Sequence, residues 1–250
     1  MKRKYPNIMR KLDAAILPLL LLLLWGLAAW LEVVPAYLLP SPWSVVGAFV
    51  QDFSLLMKHL STSLMEAGIG LACSIAAAFV LAILMDRYSL VYRTLYPMLV
   101  VTQTIPVIAI APLLVLWLGY GILPKIVLIF IVCFFPMVIA LLSGFASVEE
   151  DMLRLLRSMH ANRWQVLRYV KLPFAQASFF SGLRIAAAYS VVGAVIAEWL
   201  GGDSGLGVYM TRVRKSYDFD KMFAVILLTS LISLLLIWLV DRLEKQLKRG

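Results

Sequence analysis

Glu66, Arg184 and Glu198 are ionisable side chains set inside, or at the edge of, long apolar stretches. A charge in such a place is expensive and marks either a path for solute or a paired contact. Glu66 and Glu198 fall near the same end of their stretches. Solvation at a membrane interface would account for either one, and together they could line a vestibule. Arg184 lies nearer the other end, where it can snorkel or pair. Gln103, Pro106 and the Ala111–Pro112 step interrupt a further stretch, and irregular backbone at depth is tolerated only against protein or a cavity. Glu66, Gln103, Pro106 and Glu198 are therefore the candidate residues of a translocation path. Catalysis finds no such candidates. His59 and His160 are the two histidines, and they join no metal set or nucleophile–base pair. Cys73 and Cys133 fall inside apolar runs and read as small core residues, not as a disulfide.

The elements that carry these residues need lipid as solvent. Of 250 residues, 62% are hydrophobic and 15% charged, against roughly half and a quarter in a soluble domain. A helix crosses the hydrocarbon with about 20 apolar residues. Charge-free runs cover Ala14–Leu31, Ala67–Met85, Thr94–Pro124, Ile126–Val148 and Met222–Val240, and Phe174–Ala197 is broken only by Arg184. The first is longer than a signal-peptide core and has no small-x-small cleavage site before Glu32, so it reads as a retained span. Thr94–Pro124 contains Pro97, Pro106 and Pro112 and ends in Gly-Tyr-Gly, so it reads as one kinked span. The expectation is an all-α polytopic membrane protein with six transmembrane helices in one permease-sized domain, 1–250. The spans run about 14–34, 64–85, 94–119, 124–145, 176–198 and 222–241.

Orientation follows from Lys and Arg in the loops. With the N-terminus inside, sixteen cations lie inside, six outside (Lys58, Lys125, Arg212, Arg214, Lys215, Lys221), and Arg184 in the membrane. Both termini are expected to be cytoplasmic. The net charge of +9 is thus mostly a topology signal, and no nucleic-acid partner is expected. Between the first two spans, Ser41–Pro42 opens an amphipathic helix reaching Leu60, expected to lie on the outer face. Gly182, Ala186–Ala188, Ser190, Gly193 and Ala194 suit close helix packing, within the chain or at a dimer seam.

The least apolar stretch is the inside loop, 147–173, with "RSMHANRWQVLRYVKLP" at Arg157–Pro173. Ser147 with Glu150, then Asn162 with Gln165, read as two capping boxes, so two short helices meet at Ser158–Met159–His160–Ala161. The loop is either a solvated topology signal or a docking element. The double capping and Met159 and Trp164 at the turn suit the second reading, a run of cations suits the first, and residue chemistry leaves both open.

This segment resembles the "EAA" loop of ABC-importer permeases: E-A-A-x-x-x-G, a spacer, then a hydrophobic residue and L-P. "LPSPWSVV", "TQTIPVIAIAPLLVLWLGYG", "FFPMVIALLSGF" and "GLRIAAAYSVVGAVIAEWLGGDSGLG" are similar to the nitrate/sulfonate/taurine-type branch across most of residues 39–207. Arg154, Leu155 and Leu156 depart from the family's acidic residue and alanines, His160 replaces its glycine, and Glu66 an arginine often found there. The resemblance implies the type I importer fold and a coupling helix formed by Arg157, Ser158, Met159, His160, Ala161, Asn162, Arg163 and Trp164. It also implies ABC ATPase subunits as partners, an extracytoplasmic solute-binding protein and a second permease copy in the cell (inner or plasma) membrane. The chain has no phosphate-binding G-x-x-x-x-G-K-[ST] loop, so no cofactor is expected in it, and ATP and Mg belong to the partner ATPase. The binding protein would select the solute, a sulfonate, nitrate or thiamine pyrimidine precursor, with the last favoured. The alternative is a stand-alone secondary transporter, for which the two halves show no inverted repeat of hydropathy.

Overall fold

The structure, a computed structural model, describes residues 7–248, and every regular element in them is helical. Lys2, Arg3, Lys4 and Arg249, counted above for orientation, lie outside the described residues. The order is α1 (Asn7–Trp30), α2 (Pro42–Gln51), α3 (Phe53–Arg87), α4 (Ser89–Thr102), α5 (Val107–Leu118), α6 (Ile122–Ala146), α7 (Glu150–Ser158) and α8 (Arg163–Val166). One π-helical turn (Leu167–Lys171) leads into α9 (Leu172–Glu198), followed by α10 (Leu206–Lys215) and α11 (Phe219–Leu247). Among the described residues, α3, α6, Arg163–Glu198 and α11 are long and apolar enough to cross a membrane. The α4–α5 pair makes a fifth if counted as one span, and α1 is apolar over the shorter Ile16–Trp30.

The chain forms two compact units, residues 1–57 with 210–228, and residues 58–209 with 229–250. In the first, Ser41 caps α2 by accepting from the Ser44 N–H (3.2 Å), with Pro42 in the first turn. The amphipathic helix does not continue to Leu60, however. It stops at Asp52, whose carboxylate pairs with Lys221 (3.0 Å), and α3 begins at Phe53. Trp25 stacks on Phe223 (centroids 5.8 Å apart) and donates its indole N–H to the Pro40 carbonyl. A short polar link thus ties the loop before α2 to an apolar helix.

The second unit is built on α6 and α9, which pack antiparallel along their lengths. The register is legible in side-chain-free contacts. Gly144 of α6 faces Ala175, Gly182 faces Pro136 and Ala140, and Cys133 Sγ lies 3.2 Å from the Ala186 carbonyl. Gly193 faces Ile129. Lipid offers helices no hydrophobic drive to associate, so close backbone approach through small residues supplies the attraction. The small residues of α9 therefore serve packing inside the chain. The reading of Gly182, Ala186 and Gly193 as a seam between copies is corrected to that extent. Cys133 sits fully buried in this core, but Cys73 is exposed on α3, contrary to expectation. Arg184 pairs with Asp241 (2.9 Å) and Glu244 (2.6 Å) of α11, so its cost is met by pairing.

The third expected span is broken, not kinked: α4 and α5 are bent by 101°. The last amides of α4 bond three residues back, Gln103 to Val100 and Thr104 to Val101, and the Thr102 and Thr104 hydroxyls return to Leu99 and Val101 carbonyls. Pro106, which has no N–H, then opens α5. A proline also disfavours helical backbone in the residue before it, so helix cannot run through. The first capping box of the 147–173 loop is likewise corrected. Glu149 is the N-cap of α7, while Ser147 ends α6 by donating to the Gly144 carbonyl (2.8 Å).

Gly182→Ala would place a methyl 2.5 Å from Ala140 Cβ and 3.1 Å from the Pro136 carbonyl. Both neighbours sit on a packed helix, so the expected loss is about 1–3 kcal/mol. Gly47→Ala on α2 meets nothing within 4 Å and should leave stability unchanged or slightly raised. A thermal melt of the purified chain in detergent, read side by side for the two variants, checks the contrast; equal melting points would refute the close α6–α9 seam.

Candidate functional site

Three places on the second unit carry polar chemistry. The first is the loop between α7 and α9. α7 opens with Glu150 and Asp151 and closes with Arg157, charges that suit the helix dipole at each end. Its end is a Schellman motif: the Ala161 N–H reaches the Leu156 carbonyl and the His160 N–H the Arg157 carbonyl (both 3.0 Å). His160 takes the left-handed position of that motif (φ 57°), where glycine is usual. Asn162 then caps α8 in a full capping box. Its side chain accepts from the Gln165 N–H (2.8 Å), and Gln165 Oε1 accepts from the Asn162 N–H (2.7 Å). Arg157, Ser158, Met159, His160, Asn162, Arg163 and Trp164 are exposed and Ala161 is half-buried. Met159 is 69% and Trp164 62% exposed. The turn thus holds two large apolar side chains exposed among cations on a backbone fixed from both flanks.

The second place lies at the far end of α9, a helix of 27 residues and hence about 40 Å away. There Glu198 is 1% exposed and Glu66 2%, so neither is solvated at an interface. Glu66 pairs with Lys125 at 2.6 Å; Lys125, counted above as a loop cation, is only 6% exposed. Glu66 Oε2 is buried without a hydrogen bond among the described residues. Glu198 accepts from Ser63 Oγ and from the Gly207 N–H, both at 2.6 Å. Ser63 Oγ accepts from the Leu206 N–H (2.9 Å), and His59 Nδ1 accepts from the Gly205 N–H (2.9 Å). Three successive N–H groups at the start of α10 thus end on buried side chains from α3 and α9. Gly205 has φ +128°, and a Cβ there would collide with the Glu198 carboxylate.

Sequence reasoning selected Glu66 and Glu198 but missed His59, Ser63 and Lys125. The available signal was spacing: His59, Ser63 and Glu66 recur at i, i+4 and i+7, one face of a helix. The structure joins Glu66 and Glu198 into one polar cluster, and places Gln103 and Pro106 elsewhere. These two stand at the break between α4 and α5, the third place. Beside the break is a cavity of about 220 Å³, lined by Thr102, Gln103 and Tyr189 among apolar residues of α5, α6 and α9. Among the described residues, no group of three or more His, Cys, Asp or Glu could hold a metal ion.

Residues 70–249 match the family model of the binding-protein-dependent transport system inner membrane component. The chain is 37% identical over 245 residues to the formylaminopyrimidine transport permease protein ThiX of Halalkalibacterium halodurans, covering 98% of this chain and 96% of that one. It is 34% identical over 233 residues to the riboflavin transport system permease protein RibX of Chloroflexus aurantiacus (92% and 87% covered). The taurine transport system permease protein TauC of Escherichia coli is 30% identical over 223 residues (86% and 81%).

The cluster around Glu198 makes a measurable prediction. Glu198→Ala strips the acceptor from Gly207 and from Ser63, and each buried group left unsatisfied costs about 1–3 kcal/mol. Gly205→Ala should cost a similar amount through the clash and the unfavourable φ. Limited proteolysis of the 199–207 segment should accelerate in both variants; unchanged cleavage would show that the cluster does not hold the start of α10.

Proposed function

The chain belongs to the binding-protein-dependent transport system inner membrane components, the permease subunits of ABC transport systems, and from that premise we propose how it works. It sits in the cell (inner or plasma) membrane as one permease domain, 1–250, with both termini and the 147–173 loop in the cytoplasm. The loop charges support this side: removing the buried Lys125 from the outside count leaves sixteen inside against five outside. Two copies form the membrane pore, each bearing an ABC ATPase subunit on its cytoplasmic face. ATP and Mg bind those subunits, and the permease itself hydrolyses nothing. An extracytoplasmic binding protein delivers the solute to the other face.

The observation that carries the reading is the turn Arg157–Trp164. It is fixed by hydrogen bonds on both flanks and offers Met159 and Trp164 to a partner. The turn is the coupling element: it seats in the ATPase, and the π-helical turn and α9 carry its displacement into the membrane. ATP binding draws the two turns together and opens the path outward; hydrolysis resets it. The relatives named above serve a formylaminopyrimidine, riboflavin and taurine, and the solute here is a small organic molecule, with a thiamine-type pyrimidine precursor favoured over a sulfonate or nitrate.

Ala161→Glu tests the coupling element. Inside a protein contact an unpaired charge costs several kcal/mol, whereas on a solvated loop a surface change stays within about 0.5 kcal/mol. The variant should insert normally yet lose ATPase co-purification and transport together, and wild-type recovery of both would remove the coupling claim. His160→Gly should be tolerated, because glycine relieves a left-handed backbone that costs other residues about 1–2 kcal/mol.

Orientation has its own test, a single cysteine at 162 in a chain lacking Cys73 and Cys133. An impermeant thiol reagent should label it in opened membranes and not in intact cells; labelling from outside would invert the topology.

A further inference from the structure

The cavity beside the α4–α5 break has a composition that selects among solutes. Its walls include Ile131, Val132 and Ile196, and its polar side chains are Thr102, Gln103 and Tyr189; no charged residue lines it. Thr102 is satisfied locally through the Leu99 carbonyl. The Gln103 amide and the Tyr189 hydroxyl make no hydrogen bond within the chain among the described residues, and both residues are exposed. A free carboxamide at the middle of a broken apolar span would be costly against lipid, so it faces water or solute. Its donor and acceptor lie side by side, matching the edge of a flat nitrogen heterocycle.

Size and charge narrow the occupant. A cavity of about 150 Å³ holds benzene, so about 220 Å³ suits one aromatic ring with small substituents. A sulfonate or nitrate brought here would be an uncompensated anion in a low-dielectric wall, which costs several kcal/mol. The polar cluster at Glu66, Lys125 and Glu198 supplies no compensation, because none of its members lines the cavity. Resting on the permease reading above, we propose that this cavity is a solute-contact site for an uncharged, single-ring nitrogen heterocycle, with Gln103 reading its polar edge and the apolar walls taking its faces.

The test uses the permease with its ATPase in lipid nanodiscs and two probes of one ring each, tritiated cytosine (uncharged) and benzenesulfonate (a permanent anion). Saturable cytosine binding in the millimolar range is expected, and benzenesulfonate should not compete. Gln103→Leu should weaken binding by about tenfold, the value of one or two neutral hydrogen bonds, and Gln103→Asn, which keeps the amide, should recover part of it. Val192→Trp, from the opposite wall, should abolish binding by filling the space. No saturable binding, equal displacement by benzenesulfonate, or wild-type binding in both Gln103→Leu and Val192→Trp would overturn the proposal. Stimulation of the wild-type ATPase by the binding protein, measured on the same nanodiscs, is a separate readout. Stimulation without cytosine binding sinks the site alone; absence of stimulation sinks the permease reading.

Discussion

Everything in the second unit is hung on the close contact of α6 with α9. Gly144 and Gly182 let the two backbones approach until a methyl group would not fit between them, and the antiparallel register follows. That contact fixes where both ends of α9 lie. One end continues through the π-helical turn into the α7–α8 loop, and the other ends at Glu198. The start of α9, beside the loop, and the buried carboxylate at its end thus lie on one helix, about 40 Å apart. Asp86 and Lys171, paired at 2.6 Å, tie the π-helical turn to α3.

The two ends solve the problem of polar groups in opposite ways. At Glu198 the N–H groups of Gly205, Leu206 and Gly207 are consumed inside the chain, by an imidazole, a hydroxyl and a carboxylate. At the loop the backbone is equally well satisfied, but the side chains are left out. The first arrangement resists change because any loss strands a buried group. The second leaves apolar surface exposed, and covering it would gain about 25 cal/mol per Å². The chain thus closes its polar groups at one end of α9 and leaves side chains open at the other.

How much of this was legible beforehand depended on how local the cause was. The Asn162–Gln165 box and the left-handed site at His160 are set by neighbours within five residues; the first could be read from spacing, the second from the resemblance to the EAA loop, whose glycine His160 replaces. The break after Thr102 was half legible. Three prolines announced an interruption, but the 101° bend also needed threonine hydroxyls competing for carbonyls in the last turn of α4. Ser147 misled because an N-cap residue of one helix and a C-cap of the previous one look alike when only a residue or two separates them. His59, Ser63 and Lys125 were invisible, since their meaning comes from α10, which lies more than 130 residues from Ser63 in the chain. Charge counting had placed Lys125 in a loop, where a lysine beside Gly119–Gly121 and Pro124 ordinarily sits.

That misplacement bears on selectivity. A lysine paired to Glu66 in a buried cluster is not available to neutralise an anion in transit, and Arg184 is likewise consumed by Asp241 and Glu244. Both cations are held by carboxylates of the same chain. What the break between α4 and α5 leaves uncovered is an amide and a phenol. Amides and phenols discriminate by the direction of hydrogen bonds, and they do so best when the solute brings no charge of its own. The same pairing that keeps ions from being stranded in the core therefore leaves the wall beside the break without a free charge, and an uncharged group meets such a wall at the lowest cost in desolvation.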